Sequence, residues 1–300
     1  MIRERVTPIE RFLEKHVKTI FVLPALLFVG AMIVFPIGYT LYLSFFEWSM
    51  SPIDGPIWVA LDNYRHLLFS DERFWKAFGR TFYFTFGAML FQLVLGVAIA
   101  LLFNRNFRGK NLSKTLFLLP MVSTPVAIGL VWLLIYEPTI GFANQFLRFF
   151  GLNPQLWIAS PTQAIPSLIL VDVWQWTPMI TLIVLAGLAT LPQENYEAAK
   201  IDGANTWQMF WKITFPLLLP TIFAAGLLRM IDAVKTFDLI YAMTQGGPGF
   251  ATETLNIYGF QLGFQYFQLG MTSAMLMLFF VLILLLCLLV VKLRKRLEVS

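Results

Sequence analysis

The chain has 300 residues, 58% of them hydrophobic and only 13% charged, with a net charge of +5. Soluble proteins are about 45–50% apolar and about 25% charged, so a soluble fold of this size could not hide the excess, and the class is an integral membrane protein. The one cysteine, Cys287, lies inside an apolar run, which excludes an intrachain disulfide and a cysteine metal cluster. His16 and His66 are far apart and outside any ligand pattern, so no metal site is expected.

A helix needs roughly 20 apolar residues to cross the hydrocarbon core. Six stretches qualify: 19–46, 79–103, 115–136, 164–190, 213–238 and 268–291. Backbone groups in lipid must be bonded within their own segment, which predicts helices. A β-barrel would show alternating segments of about ten residues, and these runs are longer and apolar throughout. The expected fold is all-α, a polytopic membrane protein with six transmembrane helices over 19–291, an N-terminal tail over 1–18 and a basic tail over 292–300.

The first run follows Arg3, Arg5, Arg11, Lys15 and Lys18. It is longer than the core of about 7–15 residues in a signal peptide and lacks a small-x-small cleavage site, so a retained helix is expected. The 47–76 connection contains "LDNYRHLLFSDERFWKAF", which predicts a short amphipathic helix along the outer interface, with Trp48, Trp58, Tyr64 and Trp75 in an aromatic belt. "FANQFLRFFGL", in the 137–163 connection, reads the same way.

The fourth span holds "VDVWQWTP" and gathers Asp172, Trp174, Gln175, Trp176 and Thr177. Polar groups inside a membrane are functional candidates. Aromatic faces beside amide and carboxylate acceptors suit a neutral sugar, which offers C–H faces and hydroxyls. The same residues also fit tryptophans at the outer interface and a Gln175 bonded to a neighbouring helix.

Residues 191–220, "LPQENYEAAKIDGANTWQMFWKITFPLLLP", interrupt the apolar pattern. Pro192 suits the first turn of a helix, and Glu194 and Glu197 lie near its positive end. Gly203 follows Asp202 where a left-handed residue would stop that helix. Asn205 or Thr206 can cap a second short helix, on which Trp207, Phe210 and Trp211 share a face. Pro216 and Pro220 then start or kink the next span. The segment reads as a helix–turn–helix elbow. A loop resting on lipid remains open; three acids against two bases, and the small ridge of Ala198 and Ala199 beside Glu197, suit a protein groove better.

In the fifth span Arg229, Asp232, Lys235 and Asp238 alternate in sign at i, i+3 spacing, so neighbouring charges are expected to neutralise each other. Asp238 is also a candidate for the solute pathway and for anchoring the loop that follows. Gly246, Gly247 and Pro248 break helicity near the outer face, as a gate or a simple turn. Lys and Arg concentrate in the N-terminal tail, the 104–114 connection, the elbow and the C-terminal tail. That asymmetry places both termini and the elbow in the cytoplasm and explains the basic surplus without a nucleic-acid partner.

"EAAKIDGANTWQMFWKITFPLLLP" resembles the EAA loop of ABC-importer permease subunits, with Glu197, Ala198, Ala199, Asp202, Gly203, Ala204, Phe210, Ile213, Pro216 and Pro220 matching and Phe215 replacing the usual Leu. "FVLPALLFVGAMIVFPIGYTLYLSFFEW" and "FDLIYAMTQGGPGFATETL" resemble carbohydrate-uptake permeases of the half related to maltose and glycerol-3-phosphate import. The resemblance implies a bacterial or archaeal plasma membrane and a heterodimer with a second, related permease. It also implies two ATPase subunits inside, a solute-binding protein outside and a carbohydrate or polyol as cargo. It makes the elbow, about 191–215, the coupling helix docked in an ATPase cleft, with Glu197 facing a cation and Gly203 setting the bend. No phosphate-cradling Gly-x-x-x-x-Gly-Lys-Ser/Thr loop is present; "NFRGKN" lacks the first Gly and the Ser/Thr. The chain itself is therefore expected to hold no cofactor, with ATP and magnesium on the partner ATPases. A secondary transporter or channel, or a membrane sensor or scaffold, would keep the helices but need no such elbow.

Overall fold

The structure, a computed structural model, describes residues 8–49 and 55–299, with side chains over 21–49 and 55–292. Residues 1–7 of the predicted tail lie outside the described residues, as do the side chains of Arg11, Lys15, Lys18, Arg294, Lys295 and Arg296. The chain divides into two units, one reaching Leu67 and adding Leu262–Leu278, the other Leu68–Gln261 with the rest of the C-terminal helix.

In the first unit, α1 runs Pro8–Leu43, so the chain is already helical ahead of the predicted first span. Its apolar stretch, Phe21–Leu43, leaves most side chains exposed, as a lipid-facing helix does. A small antiparallel pair follows, β1 (Phe46–Glu47) and β2 (Ile57–Trp58). The short α2 (Asp62–Arg65) is tied back by the Asn63 amide, which donates to the Ser44 and Phe46 carbonyls, both at 2.9 Å. Gly270 meets the Phe46 carbonyl where a Cβ would stand, so no larger residue fits.

The second unit begins with α3 (Glu72–Asn104). The predicted interfacial helix and the second span differ here from expectation, because "DERFWKAF" belongs to the long helix. Asp71 caps its first turn by accepting from the Phe74 N–H at 3.0 Å, and Glu72 pairs with Lys76. The third span is broken into α4 (Lys110–Val122) and α5 (Pro125–Ile135), bent by 100°. Pro125 has no N–H to donate, and the residue before a proline avoids helical geometry; Thr124 is extended at φ −67°, ψ 140°. Helix α6 (Phe142–Phe149) is the second amphipathic segment, held by buried Asn144, which accepts from the Trp157 indole N–H at 2.9 Å.

Helix α7 (Ala164–Ala189) is the most buried span. The elbow comprises α8 (Gln193–Ile201) and α9 (Thr206–Met209), followed by a wider π-helical turn over Phe210–Thr214 that opens into α10 (Phe215–Val234). Helices α11 (Asp238–Thr244) and α12 (Leu255–Phe260) flank the Gly-Gly-Pro loop, and α13 (Leu269–Val299) follows. Among the described residues five helices are long and apolar enough to cross a membrane, or six if the bent α4–α5 pair counts as one span.

Small residues bring α3, α7 and α10 together. A Cβ on Gly96 would stand 2.6 Å from Ile180, and one on Gly187 would stand 2.8 Å from Thr221. Helices in lipid gain most from such close approach, because lipid tails are as apolar as the side chains they would replace. Ala100, Ile180, Val184, Leu188, Leu218 and Ala225 form the core at this crossing.

Candidate functional site

The elbow is built by local chemistry. Pro192 (φ −62°, ψ 125°) turns the chain one residue ahead of α8, rather than sitting within its first turn. Gly203 adopts φ +78° in open space, so its requirement is conformational, not steric. The Gly203 N–H donates to Lys200 at 3.1 Å and the Ala204 N–H to Ala199 at 2.9 Å, which satisfies the last carbonyls of α8. Asn205 and Gln208 then form a reciprocal cap at the start of α9, with both bonds at 2.9 Å. Trp207 and Trp211 stack edge to face at 5.6 Å. Glu197, Ala198, Asp202 and Gly203 are exposed, with Ala199 and Ala204 half-buried beside them. Ile201, not singled out from the sequence, is 87% exposed and Trp207 70%.

A charged cluster sits inside the spans. Asp172 on α7 and Arg229 on α10 are 0% and 1% exposed and form a direct ion pair. Gln92 on α3 joins them. Its amide donates to the Asp172 carboxylate at 2.8 Å and to the Asp172 carbonyl at 2.9 Å, and its oxygen accepts from Arg229 Nε at 2.8 Å. The guanidinium lies 5.4 Å from the Trp176 ring centroid. This arrangement differs from the expectations for both charges. Asp172 is buried against Arg229 rather than open to a cleft in this structure, and Arg229 is not neutralised along its own helix; of the four charges, Asp232 and Lys235 pair that way, at 3.8 Å. An isolated charge in an apolar span is costly, so opposite charges on neighbouring helices meet. The second carboxylate oxygen of Asp172 is buried without a partner.

The other residues of the fourth span face the broken third span. Gln175 is buried, donates to the Ser123 carbonyl at 3.3 Å, and leaves its own oxygen without a partner. Ser123 lies at the α4–α5 break, where carbonyls no longer find helical donors. Trp174 is exposed and lines a cleft of about 320 Å³ with Phe117, Pro120, Ser123 and Ile128. Trp174 and Phe117 give this cleft an aromatic wall against which the C–H face of a solute can pack.

At the far end of the same helices, Gln245, Gly246, Gly249 and Phe250 all have positive φ, and the Gly247–Pro248 bond is cis. Thr252 fastens this loop by donating to the Gly247 carbonyl at 2.7 Å. Its next residue, Glu253, is fully buried and accepts three bonds from Arg73, at 3.1, 2.9 and 2.6 Å, while Arg73 also reaches Gln261 and covers the Phe250 ring at 4.2 Å. Burial, together with a hydrogen bond to Asp71, pushes the Tyr258 phenol above its ordinary range. Glu137 turns its carboxylate onto the Ile140 and Thr139 N–H groups and the Thr139 hydroxyl, which hold it below the usual carboxylate range. Asp238 is exposed in the first turn of α11, apart from the loop fastening.

Gln92, Arg73 and Glu253 were missed by sequence reasoning. Gln92 is a lone amide in an apolar run, and Glu253 a lone carboxylate between weakly polar neighbours, so each carried a signal only as an isolated polar group. Among the described residues no group of His, Cys, Asp and Glu could hold a metal ion.

The family model "Binding-protein-dependent transport system inner membrane component" matches residues 92–299. A probable ABC transporter permease protein of Sinorhizobium fredii is 40% identical over 85% of this chain and 82% of its own length. The trehalose/maltose transport system permease protein MalF of Thermococcus litoralis is 35% identical over 87% and 86%. Among solved structures, a bacterial ABC transporter involved in import of the acidic polysaccharide alginate has the same fold, with a TM-score of 0.83 at 21% identity, covering 97% of this chain and 99% of that one. The chain belongs to the binding-protein-dependent transport system inner membrane components: it is a multi-pass permease of an ABC importer.

Proposed function

We propose that this permease carries a carbohydrate or polyol, and that separate ATPase subunits drive it through the elbow. It pairs with a second, related permease, and two ATPases bind below. Relatives named for trehalose and maltose transport support the cargo class. The exposed elbow carries the rest of the reading. It sets an apolar tip at Ile201 and Trp207 beyond a polar helix, in a chain without a phosphate-cradling loop. Such a tip suits a protein cleft better than water. Glu197, Ala198, Ala199, Asp202, Gly203 and Ala204 form the docking surface, and ATP with magnesium acts on the partner subunits.

Closure of the ATPases moves the elbow and exchanges the inward- and outward-facing states, one of which ATP must favour. Trp174 and Gln175 border the solute pathway beside the α4–α5 break. The Gly246–Gly247–Pro248 loop belongs to the outer side, where the solute-binding protein delivers cargo. Two assays test the reading. Purified alone, the chain hydrolyses no ATP, and the assembled complex does; hydrolysis by the isolated chain overturns the division of labour. The partner binding protein retains maltose, trehalose or a polyol in a thermal-shift screen; retention of amino acids alone overturns the cargo class.

A further inference from the structure

We infer that the contact between Tyr196 and Thr214 is a clasp that makes the elbow a rigid lever, and that Tyr196 is a positioning residue for transport. The inference rests on the reading of the elbow as the ATPase dock. The elbow is joined to the spans by two pieces of chain, residues 190–192 and the wide turn Phe210–Thr214. A V held only at its two feet pivots when its tip is pushed. Wide π-helical turns are frequent at functional sites, and this one lies between the tip and α10.

The clasp supplies the missing third side. The Tyr196 hydroxyl, on α8, lies 3.0 Å from Thr214 Oγ1. Thr214 is buried at the junction of the wide turn with α10, and its hydroxyl donates to the Met209 carbonyl at 3.3 Å. A hydroxyl has one proton to give. With that proton on Met209, Tyr196 must be the donor to Thr214. The relay Tyr196 to Thr214 to Met209 therefore runs one way, from α8 across the wide turn to the end of α9. It closes a triangle whose tip is already fixed by Gly203 and by the Asn205–Gln208 cap.

The base of the triangle is also firm. Leu191 packs against the core shared by α3, α7 and α10, and Gly187 lets α7 touch Thr221. Displacement of α8 is thereby carried into α10, which bears Arg229 and so reaches Asp172 and Gln92 in the spans. Tyr196 is half-buried and turned back toward the membrane helices, whereas Glu197 and Ala198 beside it are exposed.

The test uses the full complex of this chain with its second permease and ATPases, trapped with MgATP and vanadate. In a Cys287→Ser background, spin labels at Asn195→Cys on α8 and Leu228→Cys on α10 report the distance between elbow and span. Both sites are exposed and neither belongs to the docking surface. In the unsubstituted elbow the distance is the same before and after trapping. Tyr196→Phe keeps the ATPases bound, yet the distance broadens on trapping and the yield of trapped nucleotide falls about five-fold, the scale of one hydrogen bond. Thr214→Ser behaves as the parent and Thr214→Val as Tyr196→Phe. An unchanged distance and yield in Tyr196→Phe overturns the clasp. Loss of the ATPases from Tyr196→Phe also overturns it, by assigning the residue to the docking face. Absence of ATPases from the unsubstituted complex overturns the docking reading itself, and the inference with it.

Discussion

Replacing Arg229 with alanine isolates the energetics of the buried cluster. The substitution leaves the Asp172 carboxylate, 0% exposed, without its cation and with only the Gln92 amide as partner. Breaking a buried pair from one side costs about 3–5 kcal/mol, because the surviving charge is stranded. Replacing both partners with apolar residues of similar volume is far milder, since the desolvation of two ions is then avoided. Arg229→Met combined with Asp172→Leu should therefore recover most of the loss and fall within about 1–2 kcal/mol of the parent, the residue being the unpaired Gln92 amide. Unfolding of the purified chain in mixed detergent, monitored by tryptophan fluorescence, gives the free energies for a double-mutant cycle. With Arg229→Met and Asp172→Leu as the singles, each costing about 3–5 kcal/mol, and a double costing about 1–2 kcal/mol, the expected coupling is at least about 4 kcal/mol. Arg229→Ala within 1 kcal/mol of the parent, or a double substitution costing as much as the sum of the singles, would refute the reasoning.

Three further outcomes follow from other contacts. Gly96→Ala should destabilise by about 1–2 kcal/mol despite the helix preference of alanine, because its Cβ meets Ile180 at 2.6 Å, whereas Gly226→Ala, with nothing nearer than 3.6 Å, should be neutral or stabilising; equal effects at the two sites in detergent melts would contradict the packing. Arg73→Ala should leave buried Glu253 without its ion pair, and hydrogen exchange at the Ala251, Thr252 and Glu253 amides should quicken at least ten-fold; unaltered protection would show that the Gly-Gly-Pro loop holds itself. Trp174→Ala with Gln175→Ala should weaken solute-stimulated ATP hydrolysis by the complex about ten-fold or more while leaving its yield intact; unchanged stimulation removes both from the pathway.

The local chemistry of the elbow was legible in the sequence, because each of its features is specified within a few residues. Gly203 takes the left-handed bend, Asn205 the cap, and the aromatic face follows from helical spacing. The break in the third span was equally local, marked by Pro120 and Pro125, but an apolar run long enough to cross a membrane concealed it. The charged cluster was legible only in part. Asp172 and Arg229 stood out as intramembrane charges, yet 57 residues separate them, and the alternating signs after Arg229 pointed to a nearer partner. Which charges meet is decided by the close crossing of α3, α7 and α10 at glycines, which no short window of sequence displays. The fastening of the Gly-Gly-Pro loop by Arg73, 180 residues from Glu253, was hidden for the same reason.

The claim that the exposed elbow is where separate ATPases act on this chain is tested most directly by Glu197→Lys in the assembled importer. Glu197 is exposed on α8, so the substitution leaves the spans intact. The account predicts a folded complex of the two permeases that no longer retains the ATPases on purification and no longer takes up solute with ATP. Retention of the ATPases together with undiminished ATP-driven uptake would contradict it.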